Sequence, residues 1–298
     1  MGNELRLQEA IELFKLHLRS RNLSLNTRRC FLSDLGLFQD FLNLLSDEPA
    51  SMWALSRIKR EHVRAFIEHE ERRKGANSPK SVERRLTSLK VFFRWLHKRN
   101  YLPLDIAADV PYKPAAESLP TYLTEAQVQA VLEAARVLAA GPRADTRPLA
   151  IIHLILDTGI KKSECLRLTL EDVSLSERMI HVRYPQRHLK FKERDLPISE
   201  ASAIALEQHL ARFRPQRRLF ECTGRNLEYL FNRKVAPLAG LSSLTFEMLR
   251  WTCAMREYRR GNADDLRMQT TFGLSEIGWA EMEAKLKRLL AREAAQIT

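Results

Sequence analysis

"ERMIHVRYPQRHLKFKERDLPIS", residues 177–199, is where the period of this sequence changes. Apolar and polar residues alternate on either side of a turn at Pro185 to His188, and that pattern predicts a β-hairpin. The periodic apolar stretches around it have helical spacing instead. "LTEAQVQAVLEAARVL" (123–138) opens with a capping box from Thr124 to Gln127, and "RPLAIIHLILDTGI" (147–160) reads as a buried helix ending at Gly159. Helices resume at residue 200. The expected class is therefore mostly α with a small β element.

Further upstream the chain reads as all helix. "LQEAIELFKLHLRSR" (7–21) and "LNTRRCFLSDLGLFQDFLNLL" (25–45) carry apolar residues at helical spacing. In "SPKSVERRLTSLKVFFRWLHKRN" (78–100), Ser78 can cap and Pro79 takes the first helical position. Val82, Leu86, Leu89, Phe93 and Leu96 form one stripe, while Arg84, Arg85, Lys90, Arg94 and Lys98 lie largely elsewhere. A solvated basic face and a face laid on a phosphate backbone predict the same pattern.

Between these regions runs "YLPLDIAADVPYKPAAESLPTY" (101–122), with Pro103, Pro111, Pro114 and Pro120. Several prolines without helical periodicity mark an extended link. The expected division is a helical domain over 1–112, a linker over 113–121 and a second domain over 122–298.

The chain of 298 residues is long enough for two cores. No run approaches the roughly 20 apolar residues of a membrane helix. "MGNELRLQEA" has no apolar core of a signal peptide, so a cytoplasmic location is expected and no membrane partner. Cys30, Cys165, Cys222 and Cys253 show no CxxC spacing and read as buried reduced thiols. The histidines are dispersed, so no zinc site is visible. Charge is the informative bulk property: 49 Lys+Arg against 37 Asp+Glu, a formal +12. Residues 1–118 hold 21 Lys+Arg and 15 Asp+Glu, so both halves are basic. That balance suggests a polyanion, most commonly nucleic acid, and a solubilising surface would give it too.

"LTFEMLRWTCA" (244–254) sets one arginine, Arg250, inside an apolar helical stretch. A buried cation needs an internal anion or an anionic ligand. Glu247, three residues earlier, shares a helix face with it, and the preferred reading is a salt bridge between the two.

"DTGIKKSECLRLTLEDVSL" (157–175), the hairpin and "LTFEMLRWTCA" resemble, in order and spacing, the tyrosine recombinase (phage integrase, Xer-type) family. The family's pattern is TGLRxSEL, a strand pair with a lysine before KER-x-x-P, then HxLRHTFA. The N-terminal stretches are similar to its helical core-binding domain. The resemblance implies a helical SAM-like domain and a mixed α/β recombinase-type domain, closing on duplex DNA as a C-shaped clamp. It also implies a chemistry that uses neither metal nor cofactor: a tyrosine attacks a phosphodiester, two arginines and a histidine hold the phosphate charge, a hairpin lysine protonates the leaving oxygen, and a histidine before the second arginine helps move protons.

Carried over position by position, that machinery is degenerate. The first arginine falls on Lys161, which keeps charge without the bidentate fork, and a solvated Lys161–Lys162 pair is equally consistent. The hairpin lysine falls on Leu189, with Lys190 one residue away; Lys192 and Arg194 read as backbone contacts on the face of Lys190. The second arginine is Arg250, and the histidine before it is Glu247. The next histidine falls on Leu274 and the tyrosine on Glu283, while the last tyrosine in the sequence is Tyr258. Arg84, Arg85, Lys90, Arg94, Lys161, Lys190, Lys192, Arg194 and Arg250 are the candidate DNA contacts.

The expectation is a DNA-binding homologue without strand cleavage, acting in recombination or integration. Its partners would be double-stranded DNA and an active recombinase, or a second copy docked through Trp279, Met282, Leu286, Leu289 and Leu290. Packing of that helix on its own domain fits equally. Two alternatives remain: an active recombinase with an unorthodox or trans-supplied nucleophile, and a transcriptional or architectural DNA binder.

Overall fold

The computed structural model describes residues 4–21, 23–73, 77–112, 118–261 and 264–297. The chain divides into two compact units, Met1–Glu117 and Ser118–Thr298.

The first unit holds four helices: α1 (Leu7–Ser20), α2 (Leu25–Asn43), α3 (Arg60–Arg72) and α4 (Pro79–Lys98). Ser24 and Ser78 cap α2 and α4 by accepting the backbone N–H of Thr27 and Ser81, and Pro79 begins α4. Phe14, Phe38, Phe66, Phe92 and Phe93 meet at the centre, mostly edge to face. The α4 stripe lies inward as its spacing requires.

The proline-bearing segment departs from the expectation of a free link. Leu102, Ala107 and Val110 are buried in the first core, so 101–110 is structural lining of that unit. Of the expected linker, 113–117 lies outside the described residues. Leu119 and Tyr122 pack on the second unit.

That unit begins with α5 (Glu125–Ala139), α6 (Arg147–Thr158) and the single turn α7 (Lys162–Cys165). A three-stranded antiparallel sheet follows, β1 (Val173–Ser174), β2 (Met179–Val182) and β3 (Arg194–Pro197), in the order β1-β2-β3. Then come α8 (Glu200–Phe213), α9 (Gly224–Tyr229), α10 (Ala236–Leu238), α11 (Phe246–Arg259), α12 (Asp265–Phe272) and α13 (Glu276–Ile297). The fold is thus mostly helical with one small sheet.

The hairpin forms with two differences. A short first strand, β1, pairs Val173 with Ile180. The connection is longer than a tight turn, because Arg187–Lys192 winds into a 3₁₀ turn. Lys190 and Lys192 therefore sit on no strand, and alternation does not reach them. β3 does alternate: Val182 pairs with Arg194 and Ile180 with Leu196, so Arg194 shares the inward face of Leu196. Among the cysteines, Cys165 and Cys253 are buried, whereas Cys30 and Cys222 are only partly so; none is bonded.

α13 covers the end of the second unit. Trp279, Met282, Leu286 and Leu289 are buried against Cys253, Met255, Met268 and Phe272, with Leu290 partly buried beside them. The stripe is thus satisfied within its own unit, not left open for a neighbour. Leu286 is fully buried, so Leu286→Ala should destabilise the second unit by about 2–5 kcal/mol in a denaturant titration. An unchanged midpoint would show that α13 does not pack there in solution.

A candidate anion site closed by the chain itself

Three of the residues singled out by the sequence, Lys161, Arg194 and Arg250, converge around the end of α12. That helix stops at Phe272 because Gly273 adopts a left-handed conformation, φ +58°. The last carbonyls of a helix have no intrahelical donor and carry the negative end of its dipole. Here three cations supply donors to three consecutive carbonyls. Arg194 Nε donates to Thr271 O at 2.9 Å, Arg250 Nη2 to Phe272 O at 3.1 Å, and Lys161 Nζ to Gly273 O at 2.8 Å. Arg250 Nη1 also donates to Gly159 O at 2.9 Å, tying the end of α6 to the same point.

Glu164 is the anion of the cluster. Arg194 forks onto it, Nη1 to Oε1 at 3.1 Å and Nη2 to Oε2 at 2.8 Å, and both side chains are buried. The Tyr184 hydroxyl donates to Oε1, and the Lys161 backbone N–H to Oε2 at 2.9 Å. Burial pushes the Glu164 carboxyl up, but the hydrogen bonds and charge of Arg194, with Tyr184 and that N–H, pull it down to about 2. Lys161 moves the other way. Burial lowers it to about 8 against the pull of Glu164, with Arg250, Lys192 and Arg194 adding repulsion. Arg250 is lowered by burial, and the charges of Glu247 and Glu164 oppose that.

The close packing leaves no slack at two glycines. A Cβ on Gly159, φ +56°, would lie 2.2 Å from the Phe272 ring, and one on Gly273 would lie 2.7 Å from Arg194 Nη1.

Several expectations change here. Glu247 does not bridge to Arg250. It lies exposed in the first turn of α11, while the guanidinium runs inward to backbone carbonyls. The arginine's hydrogen-bond partners are thus peptide carbonyls, with Glu247 and Glu164 as the nearby negative charges. Arg194, expected on a phosphate-facing surface, is buried because its strand parity matches Leu196. Lys161 is not a solvated lysine, whereas Lys162 is outward and pairs with Glu228. Lys190 is exposed and bonds Glu193 at 2.8 Å; Lys192 is partly buried, its ammonium 5.2 Å from the Phe191 ring.

The cations of α4 are also engaged internally. Arg84 pairs with the fully buried Asp34, and Arg85 with the buried Glu70, so Arg85 is turned away from any surface ligand. Ser88 Oγ adds a hydrogen bond to Asp34 at 2.7 Å. Lys90 donates to Ala108 O at 3.1 Å, and Arg94 lies 3.8 Å from Asp105 with its tip largely exposed.

Leu274 and Glu283 lie further along the chain. Leu274 is partly buried beside the α13 cluster. Glu283 binds Lys287 at 2.7 Å and accepts from the Tyr258 hydroxyl at 3.4 Å. Burial and the Glu283 charge raise the Tyr258 phenol, leaving it less acidic than a free tyrosine. Tyr184, Gly273 and the Thr271–Gly273 carbonyls were not singled out from sequence. Only the parity of Arg194 with Leu196 and Ile198 hinted at the cluster.

The chain thus joins a helical unit to a helix-rich unit that carries a three-stranded sheet and a buried arginine–lysine–glutamate cluster. The chain belongs to the phage integrase family, whose profile matches residues 121–279, while the profile of the phage integrase N-terminal SAM-like domain matches 11–100. It is 28% identical over 298 residues to tyrosine recombinase XerC of Roseiflexus castenholzii, covering 94% of this chain and 90% of that one. Solved structures share the fold at low identity. The Tn1549 transposon integrase in complex with transposon right-end DNA superposes with a TM-score of 0.71 at 16% identity, over 95% of this chain and 94% of that one. A lambda integrase dimer bound to a COC′ core site does so with a TM-score of 0.71 at 15% identity, over 94% and 77% of the two chains.

Glu164→Gln should cost about 3–5 kcal/mol of stability, because Arg194 is left buried without its anion. The pH dependence is set by the depressed carboxyl: its contribution is complete above the ordinary value of 4.5 and is lost as pH falls through about 2. Chemical denaturation from pH 6 to about pH 2 should therefore show a steep acid limb in the native chain and a flatter one in Glu164→Gln. Parallel limbs would count against the pair.

Proposed function

We propose that this chain is a DNA-binding tyrosine recombinase homologue that has lost strand cleavage. It would occupy a recombination site or a transposon end in the cytoplasm, alone or beside an active recombinase. One observation carries the loss: the cations that the family resemblance assigns to a phosphate, Lys161 and Arg250, hold the chain's own carbonyls at Gly273, Phe272 and Gly159. A phosphate entering there would have to displace a helix end that three donors retain. The aligned nucleophile position supports the same reading. Glu283 carries a negative charge where a phenol would attack, and its neighbour Tyr258 is raised, not activated.

DNA binding rests on family membership and on the +12 formal charge. The residues offered for it are the exposed cations. Arg94 and Lys190 keep exposed tips, and Arg84 is half exposed, whereas Arg85 and Arg194 are internal. DNA contact would come from groups whose internal partners are weak, since an exposed pair contributes only about 0–1 kcal/mol and exchanges readily.

The experiment offers the chain nicked suicide duplexes carrying candidate sites, alone and with an active recombinase, and looks for a covalent protein–DNA band. The expected result is no adduct to this chain. An adduct lost on Tyr258→Phe would establish a relocated nucleophile and defeat the reading. Gel shifts with the same duplexes should weaken at least tenfold between low and physiological salt, because phosphate contacts release counterions. Binding indifferent to salt would remove the phosphate-dominated interface.

A further inference from the structure

The first unit carries a second basic surface, one that is also lined by aromatic rings. Between the C-terminal halves of α1 and α4 and the start of α2 lies a cleft of about 670 Å³. Phe14 and Phe31 form part of its wall, and His17 and Trp95 stack within it, centroids 5.4 Å apart and planes 25° apart. Tyr101 continues the row, its ring 5.8 Å from that of Trp95, and it is 42% exposed. The Trp95 indole N–H is buried with no acceptor among the described residues.

Cations border the rings. Arg21, Lys98 and Arg99 line the cleft, and none has a carboxylate partner among the described residues; Arg94 sits beside them, 3.8 Å from Asp105. Burial, then the charges of Arg21 and Arg99, lower the His17 pKa, so the imidazole stays neutral and keeps its stacking face. This combination differs from the other basic surfaces of the unit, where Arg84 and Arg85 are tied to Asp34 and Glu70.

We propose that this cleft binds unpaired, single-stranded nucleic acid, with bases on the His17–Trp95–Tyr101 row and phosphates on Arg21, Lys98 and Arg99. Partly exposed rings beside cations without carboxylate partners are what such a strand recognises, since every base has a π-face and every linkage a charge. A duplex keeps its bases stacked on one another and cannot use the rings. An acidic apolar peptide would satisfy the cations but leave the row of rings without a role. The site does not depend on whether the second unit cleaves DNA.

The full chain is titrated by fluorescence anisotropy, at low salt, with a labelled mixed-sequence deoxyoligonucleotide of about 15 nucleotides and with its duplex. Tyr101→Ala removes a largely exposed ring and should weaken single-strand binding about tenfold. Lys98→Glu with Arg99→Glu should weaken it further, and Tyr101→Ala should leave duplex affinity within about twofold. Trp95→Phe keeps a ring in place and should abolish much of the tryptophan quenching that the single strand causes. Melting curves of the variants check that the unit remains folded. Failure to bind the single strand at low salt overturns the proposal, as does single-strand affinity untouched by every variant. Equal losses for both nucleic acids would reduce the cleft to general electrostatics and overturn it too. Tyr101-dependent binding of a Leu/Asp-rich peptide without oligonucleotide binding would reassign the cleft to a peptide. The duplex arm reads the preceding proposal separately, so either can fail alone.

Discussion

The end of α12 is held by donors from three separate elements, and much of the second unit is arranged around that contact. Lys161 comes from the turn after α6, Arg194 from β3 and Arg250 from α11, and they meet the carbonyls of Gly273, Thr271 and Phe272 in turn. Each cation alone would be costly to bury. Together they complement a helix C-terminus, which presents unpaired carbonyls and partial negative charge. Glu164 supplies the one full anion, and its fork to Arg194 fixes the sheet against α7. The two glycines next to the contact permit the close approach of Phe272 and Arg194.

In this arrangement the cluster's charges are compensated by groups of the chain itself. In a protein that binds phosphate, such cations are compensated when the ligand arrives and repel one another when it is absent. Here Lys161 still feels that repulsion, as its lowering to about 8 records, but its ammonium is hydrogen bonded. Peptide dipoles satisfy donors of both Lys161 and Arg250. The substitution of lysine for a forked arginine suits this partner, because a single carbonyl asks for one donor, whereas a phosphate rewards two.

The first unit solves a different problem with the same residue types. Asp34 and Glu70 are buried carboxylates, and Arg84 and Arg85, adjacent on α4, each reach one of them. Successive residues on a helix point about 100° apart, so the pair can serve two neighbouring helices, α2 and α3. The basic look of α4 thus reflects internal ion pairs as much as surface charge. Arg21, Lys98 and Arg99, which have no carboxylate partner among the described residues, line the Trp95 cleft, and Lys98 and Arg99 stand at the other end of α4.

The sequence by itself determined the helical character of the chain, the hairpin and the family. These follow from short-range rules: helical spacing in 78–100, alternation in 177–199, and motif order across 157–254. It also carried, unread, the parity that turns Arg194 inward with Leu196. Only the tertiary structure decided what each charge faces. Glu247 and Arg250 share a helix face, yet the guanidinium is long enough to reach across to Gly159 and Phe272, which lie 91 and 22 residues away. Backbone carbonyls have no letter in a sequence, and their availability depends on where a helix happens to end. For that reason the partner of the buried arginine could be posed as a question from residues 244–254, and answered only once α6, α11 and α12 had been brought together.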